Sequence, residues 1–158
     1  MKKRRFALLI AAAIIILILM SVSSPDVPKS ANETPVMQLS EFNGPISEVI
    51  TIEPIADGTS DPDGVRFLIT NSSGDVHVDF SQYSLEVLSN ELWYELFPTD
   101  GVFPDVASIL KEHTSQQILF PIYSHHKDLQ AGRYRVIDSF LNQRTGNIEY
   151  IVAEFELP

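Results

Sequence analysis

From about Pro45 onward the apolar residues fall at every second position in short runs, and clusters of Gly, Pro, Asn, Asp and Ser separate one run from the next. Val65, Phe67 and Ile69 alternate with Arg66, Leu68 and Thr70; Ile151, Ala153, Phe155 and Leu157 alternate with Val152, Glu154 and Glu156. A period of two sends successive side chains to opposite sides of an extended backbone, so each run can bury one face and wet the other. A helix needs a period near 3.6, and no long stretch here has it. The chain is therefore constrained to a fold built from short strands that meet across a core.

Read this way, the domain has about seven strands. They fall at Ile46 to Ile55, Val65 to Thr70, Tyr83 to Val87, Leu92 to Phe97, Gln117 to Ile122, Arg133 to Phe140 and Ile148 to Leu157, with Val76 to Phe80 as a short extra strand. Ser89-Asn90 closes one hairpin and the stretch from Asn142 to Asn147 another. Val106 to His113 has a faint helical spacing and is expected to form one or two turns. Many short strands at near-regular spacing favour a Greek-key β-sandwich, and a domain from residue 45 to 158 is long enough to bury one core. With no Cys in the chain, that core must hold without disulfides.

Ahead of the domain, Lys2-Lys3-Arg4-Arg5 leads into an apolar run from Phe6 to Val22. Basic residues stay on the cytoplasmic side, so residues 1–22 are expected to act as a membrane anchor or signal segment that delivers the rest outside. The run exceeds the core of a signal peptide and reaches roughly 25 Å as a helix, close to the hydrocarbon thickness of about 30 Å. A retained single-pass anchor with its N-terminus inside is the favoured expectation, and cleavage near Ser21 to Ser24 with secretion is the alternative. Residues 23–44 carry Pro25, Pro28 and Pro35 among polar residues and read as a flexible stalk.

All 21 acidic residues lie beyond Pro25 but only seven of the 11 basic ones do, which leaves the exported part with a formal charge of −14. Nucleic acid is thereby an improbable partner, since its recognition rests on Lys and Arg at phosphates. No Gly-x-Ser-x-Gly, Ser-x-x-Lys or phosphate-cradling glycine motif is present, and no cofactor is implied. His125, His126 and Asp128 share one loop, but adjacent residues on an extended chain point apart, so an exposed polar loop is expected rather than a zinc site. Asp57, Asp61 and Asp63 with Gly58 and Gly64 lack the terminal Glu of a calcium loop and read as a turn. His77 and His113 are isolated and are expected to face solvent.

One local arrangement sharpens the fold. Leu129-Gln130-Ala131-Gly132-Arg133-Tyr134 places a Leu and a Gly ahead of a Tyr at the mouth of a strand, the spacing of a tyrosine corner. Tyr134 is expected to bond back to the preceding turn, Gly132 to let the chain turn tightly, and the single Trp, Trp93, to pack between the sheets.

Val65-Arg66-Phe67-Leu68-Ile69-Thr70-Asn71, Tyr83-Ser84-Leu85-Glu86-Val87, Trp93-Tyr94, the stretch from Leu129 to Arg135 and Ala153-Glu154-Phe155-Glu156 occur in that order. Together they resemble the bacterial immunoglobulin-like domains of exported Gram-positive envelope proteins, with Ala131 and Arg133 where that pattern has Pro and Lys. The resemblance implies an immunoglobulin-like sandwich, a non-catalytic binding or structural role at an envelope protein or glycan, and no transferable catalytic residue. An accessory or sensor subunit of a membrane complex is the alternative. An envelope hydrolase or metal enzyme is a more distant one.

Overall fold

A computed structural model of the chain describes residues 37–56, 58–80, 82–99 and 107–158. The proposed anchor at 1–22 and the stretch 23–36 lie outside the described residues. Ten strands are present among the described residues: β1 (Met37–Leu39), β2 (Ile50–Pro54), β3 (Val65–Asn71), β4 (His77–Asp79), β5 (Ser84–Ser89), β6 (Leu92–Leu96), β7 (Ser108–Leu110), β8 (Thr114–Phe120), β9 (Gly132–Asn142) and β10 (Ile148–Leu157). A one-turn helix, α1 (Ile122–His125), follows β8. Among the described residues no helix is long and apolar enough to cross a membrane.

The strands form two sheets. The smaller has the order β2-β3-β8. In the larger, β1, β6, β5, β9 and β10 lie side by side, while β4 pairs with the far half of β9 and β7 with β4. All these pairings are antiparallel, and β3 to β4 and β8 to β9 are the crossings from the smaller sheet to the larger.

Alternation decides what each strand buries. Val65, Phe67 and Ile69 are fully enclosed while Arg66 and Leu68 face out, and on β10 Ile151, Ala153, Phe155 and Leu157 turn inward between exposed Glu154 and Glu156. Phe67 meets both Phe120 and Phe155 edge-on, with ring centroids 5.4 and 5.6 Å apart, a geometry that adds to the burial itself. Gly64 is required where β3 starts: a Cβ there would lie 1.9 Å from the Phe120 carbonyl oxygen.

Two expectations are corrected. Residues 37–44 are not stalk, because Met37 to Leu39 pair with Tyr94 to Leu96 at the edge of the larger sheet. The segment then crosses the outside of that sheet to Ile46, which bridges Tyr150 in parallel, and so forms a strap. Ser108 to Leu110, expected to be helical, form a strand, since pairing with β4 satisfies the backbone while Leu110 enters the core and Ile109 stays out. The helix turn lies instead at α1, where Ile122 and His125 are buried.

Candidate functional site

On the outer face of the larger sheet the register brings Gln38, Glu95, Glu86, Arg135 and Glu154 into one cross-strand row. Glu86 is only 2% exposed. It is held in that position by Arg135, whose Nε donates to its Oε2 at 2.6 Å, and by the Ser40 hydroxyl, which donates to its Oε1 at 2.5 Å. The Arg135 guanidinium lies 4.5 Å from the centre of the Trp93 ring and 6.0 Å from that of Phe42. The cation is thus held by a carboxylate and by the negative faces of aromatic rings, an arrangement strengthened by partial exclusion of water. Trp93 is therefore not between the sheets as expected. Tyr94 and Leu96 take the inner side of β6, and alternation puts Trp93 outside, half-buried beneath Arg135.

The strap builds much of this face. Ser40 accepts the amide of Phe42 at 3.2 Å, and Phe42 packs edge-on against Tyr150 of β10 at 5.4 Å. Between strap and sheet is a cavity of about 250 Å³, bounded among others by Glu41, Glu95, Ile137 and Tyr150. Asp138 borders it too. Burial, then the neighbouring Asp79 carboxylate, pushes the Asp138 carboxyl up to about 7, against the hydrogen bond from the Ser139 amide.

At one end of the sandwich a polar cluster encloses His77, which is fully buried rather than solvent-facing. Its Nδ1 lies 3.2 Å from the Asp75 carbonyl, and its Nε2 lies 3.3 Å from Glu149. Asn71 and Asn142 flank the ring, and Asn142 also donates to Asp75. Arg144 donates to both carboxylate oxygens of Asp75, and this pairing, with the Asn142 bond, holds Asp75 at about 2. Together these pairs tie β3, β4, β9 and β10 to one another and to the turns that carry Asp75 and Arg144, which reads as a structural lock.

His125 and His126 are buried, not part of an exposed loop. His125 stacks on Tyr83 and lies 3.2 Å from its hydroxyl, whereas His126 is held by the Phe97 carbonyl. Burial lowers both imidazoles, and His126 falls to about 4 with help from His125. The two rings have separate partners, and Asp128 is exposed with a left-handed φ of 59°. Asp61 caps the Asp63 amide and accepts from Arg66, the contacts of a turn; Asp57 lies outside the described residues. His113 is exposed. Among the described residues no three His, Asp or Glu side chains are grouped to hold a metal.

The β8 to β9 crossing carries the remaining signature. The Tyr134 hydroxyl donates to the Gln130 carbonyl at 2.7 Å, its ring stacks on Phe155, and Leu129 packs against the core beside it. The family model of the bacterial Ig-like domain matches residues 50–156, the span that contains this corner and all strands but β1. The chain belongs to the bacterial Ig-like domain family. No curated protein and no solved structure matches it.

Within the Ig-like domain, Gly132 has a different status from the one expected. Its φ is not left-handed, and a Cβ would stand 3.6 Å from the Tyr134 ring in ordinary contact, so neither conformation nor space demands glycine there. The left-handed residue of that turn is Asp128. Ser40, Phe42, Glu86 and Arg135 escaped the sequence reading because 46 and 49 positions separate the bonded pairs Ser40–Glu86 and Glu86–Arg135. Only the outward register of Glu86 and Arg135 on their strands hinted at them.

Proposed function

We propose that this Ig-like domain is a non-catalytic binding module of the Gram-positive cell envelope, held at the outer side of the membrane by residues 1–22 and recognising a protein or glycan through the outer face of its larger sheet. Domains of this family are typically non-catalytic extracellular modules, and the cationic leader ahead of an acidic domain supports export. The outer face carries the reading. There the half-buried Trp93, Phe42 and Tyr150 stand with exposed Glu41 and half-buried Glu95, a mix of aromatic and charged groups on a surface the fold does not need for its core.

A photo-crosslinking residue at Val152, on that face of β10, tests this in intact cells; the same residue at Leu68, outside the smaller sheet, is the control. A discrete adduct from Val152 and none from Leu68 is expected. Adducts of equal yield from both positions, or from neither, refute the assignment. Protease added to intact cells should remove the domain, and a protected domain would overturn its placement outside.

A further inference from the structure

Beyond the strap, on the outer face of the larger sheet, the register lines up Ile109 of β7, Val78 of β4, Leu141 of β9 and Ile148 of β10 in one cross-strand row. Their strand neighbours Leu110, His77 and Phe140 turn inward, so alternation sends all four out. Ile109 and Ile148 are each 57% exposed. Phe80, one residue past β4, and Ile46, which bridges Tyr150 two residues from Ile148, extend the row and are 50% and 59% exposed. Together the six present about 500 Å² of apolar surface, near the top of what a monomer ordinarily shows in one patch. None of the six carries a charge, although the chain beyond the leader carries −14.

A second copy of the chain fits this patch on three counts. The first is charge: two such acidic domains meeting over the row of Glu86, Glu95 and Glu154 would set carboxylate against carboxylate, whereas the apolar row opposes no charge to another. The second is area: two patches pressed together bury roughly 1,000 Å², the lower bound of a specific contact, which suits partners that a membrane already holds close. The third is where the chain enters. Met37 stands in the row of Val136 and Leu39 in that of Tyr134, so β1 runs away from the end of the sheet that bears the patch. The chain thus comes into the domain from that end, and residues 23–36 span at most about 50 Å back to the leader. We propose that two copies anchored in one membrane dock by these patches about a two-fold axis along the strands. Such an axis keeps both entry points on the same side and stacks the two sheets nearly aligned. It sets Ile109 of one copy against Ile148 of the other, and Val78 against Leu141.

This rests on the reading of residues 1–22 as an anchor and of the outer face as the binding face, and the absence of Cys allows a separable test. Ile109→Cys and Ile148→Cys are placed one per chain in two differently tagged full-length chains; the cells that express both are opened and oxidised with copper phenanthroline. In the proposed pair Ile109 of one copy stands three strand spacings, about 14 Å, from Ile109 of the other, whereas a disulfide needs Cβ atoms about 4 Å apart. The mixed pair should therefore give a disulfide-linked dimer. Each variant paired with itself, like Leu68→Cys outside the smaller sheet, should give only the trace that random collision leaves. Phe80→Asp in both chains should remove most of the mixed dimer; all these sites but Leu68 are at least half exposed, so folding is not at stake. A self-linked dimer of either variant as strong as the mixed one, a mixed dimer no stronger than that of Leu68→Cys, linkage undiminished by Phe80→Asp, or disulfides to a different protein instead overturns the proposal. A missing mixed dimer, with the Val152 adduct still formed and the domain still removed by added protease, sinks this inference and leaves the binding module standing.

Discussion

Replacing Asp138 by Asn separates two buried groups whose protons act in opposite directions on stability. Asp138 is 3% exposed; its Oδ1 accepts the Ser139 amide at 2.7 Å, its Oδ2 has no partner, and Asp79 is near enough to repel it. Its folded value of about 7 exceeds the 3.8 it has when free. Between those values the folded chain keeps a proton that the unfolded chain releases, so stability falls as pH rises. At about 1.4 kcal/mol per unit over about three units, the loss is of order 4 kcal/mol.

His126 works against it. Its value falls from 6.5 to about 4 in the fold, so from about pH 4 to 6.5 the unfolded chain binds the extra proton and stability rises with pH, by about 2 to 3 kcal/mol in all. His125, lowered by burial as well, adds in the same direction. In the native chain these slopes largely cancel, and the stability of the domain should be nearly level from pH 4.5 to 6.5. Asp138→Asn removes the falling component. Urea unfolding followed by the fluorescence of Trp93, the only tryptophan, should show the variant gaining stability through that window and exceeding the native chain by about 2 to 4 kcal/mol at pH 8. Asp75 and Glu149, both lowered, contribute stability that is lost only as pH falls below their ordinary range, so they leave this window undisturbed. Parallel pH profiles for variant and native chain, or a variant less stable at pH 8, would refute the placement of an unpaired carboxyl in this core.

Tyr134→Phe leaves the Gln130 carbonyl without its donor and should cost about 1 to 3 kcal/mol in urea unfolding. Arg135→Met strips the cation from the buried Glu86 and should cost about 3 kcal/mol, with Trp93 emission shifted to the red as its ring is uncovered; Glu86→Gln in the same background should restore part of the loss. Gly64→Ala drives a methyl into the Phe120 carbonyl and should destabilise by about 2 to 3 kcal/mol, whereas Gly132→Ala, open at 3.6 Å, should fall within about 1 kcal/mol of native. Glu91→Gly relieves a left-handed φ of 67° in the β5 to β6 turn and should raise the thermal midpoint by the equivalent of about 0.5 to 1 kcal/mol.

Local periodicity made the inward faces of β3, β5 and β10 legible, because alternation is a property of one strand and needs no partner. The tyrosine corner was legible for the same reason: Tyr134 bonds to Gln130, four residues away. What the sequence concealed depends on register. Trp93 looks like a core residue by type, and only the pairing of Leu96 with Leu85 and of Tyr94 with Val87 fixes the inner face of β6 and sends Trp93 to the other side. β1 was hidden because its Met-Gln-Leu is too short to show a period, and it is a strand only because β6 offers an edge. His77 shows the same dependence. Alone it reads as a wet strand residue; opposite Asn142 on β9, with Glu149 beside it, it becomes the centre of a buried polar lock. The outer-face row follows from this logic as well. Glu86, Glu95 and Arg135 each occupy an ordinary outward position, and their chemistry arises when three strands set two carboxylates and one guanidinium side by side, one negative charge in excess.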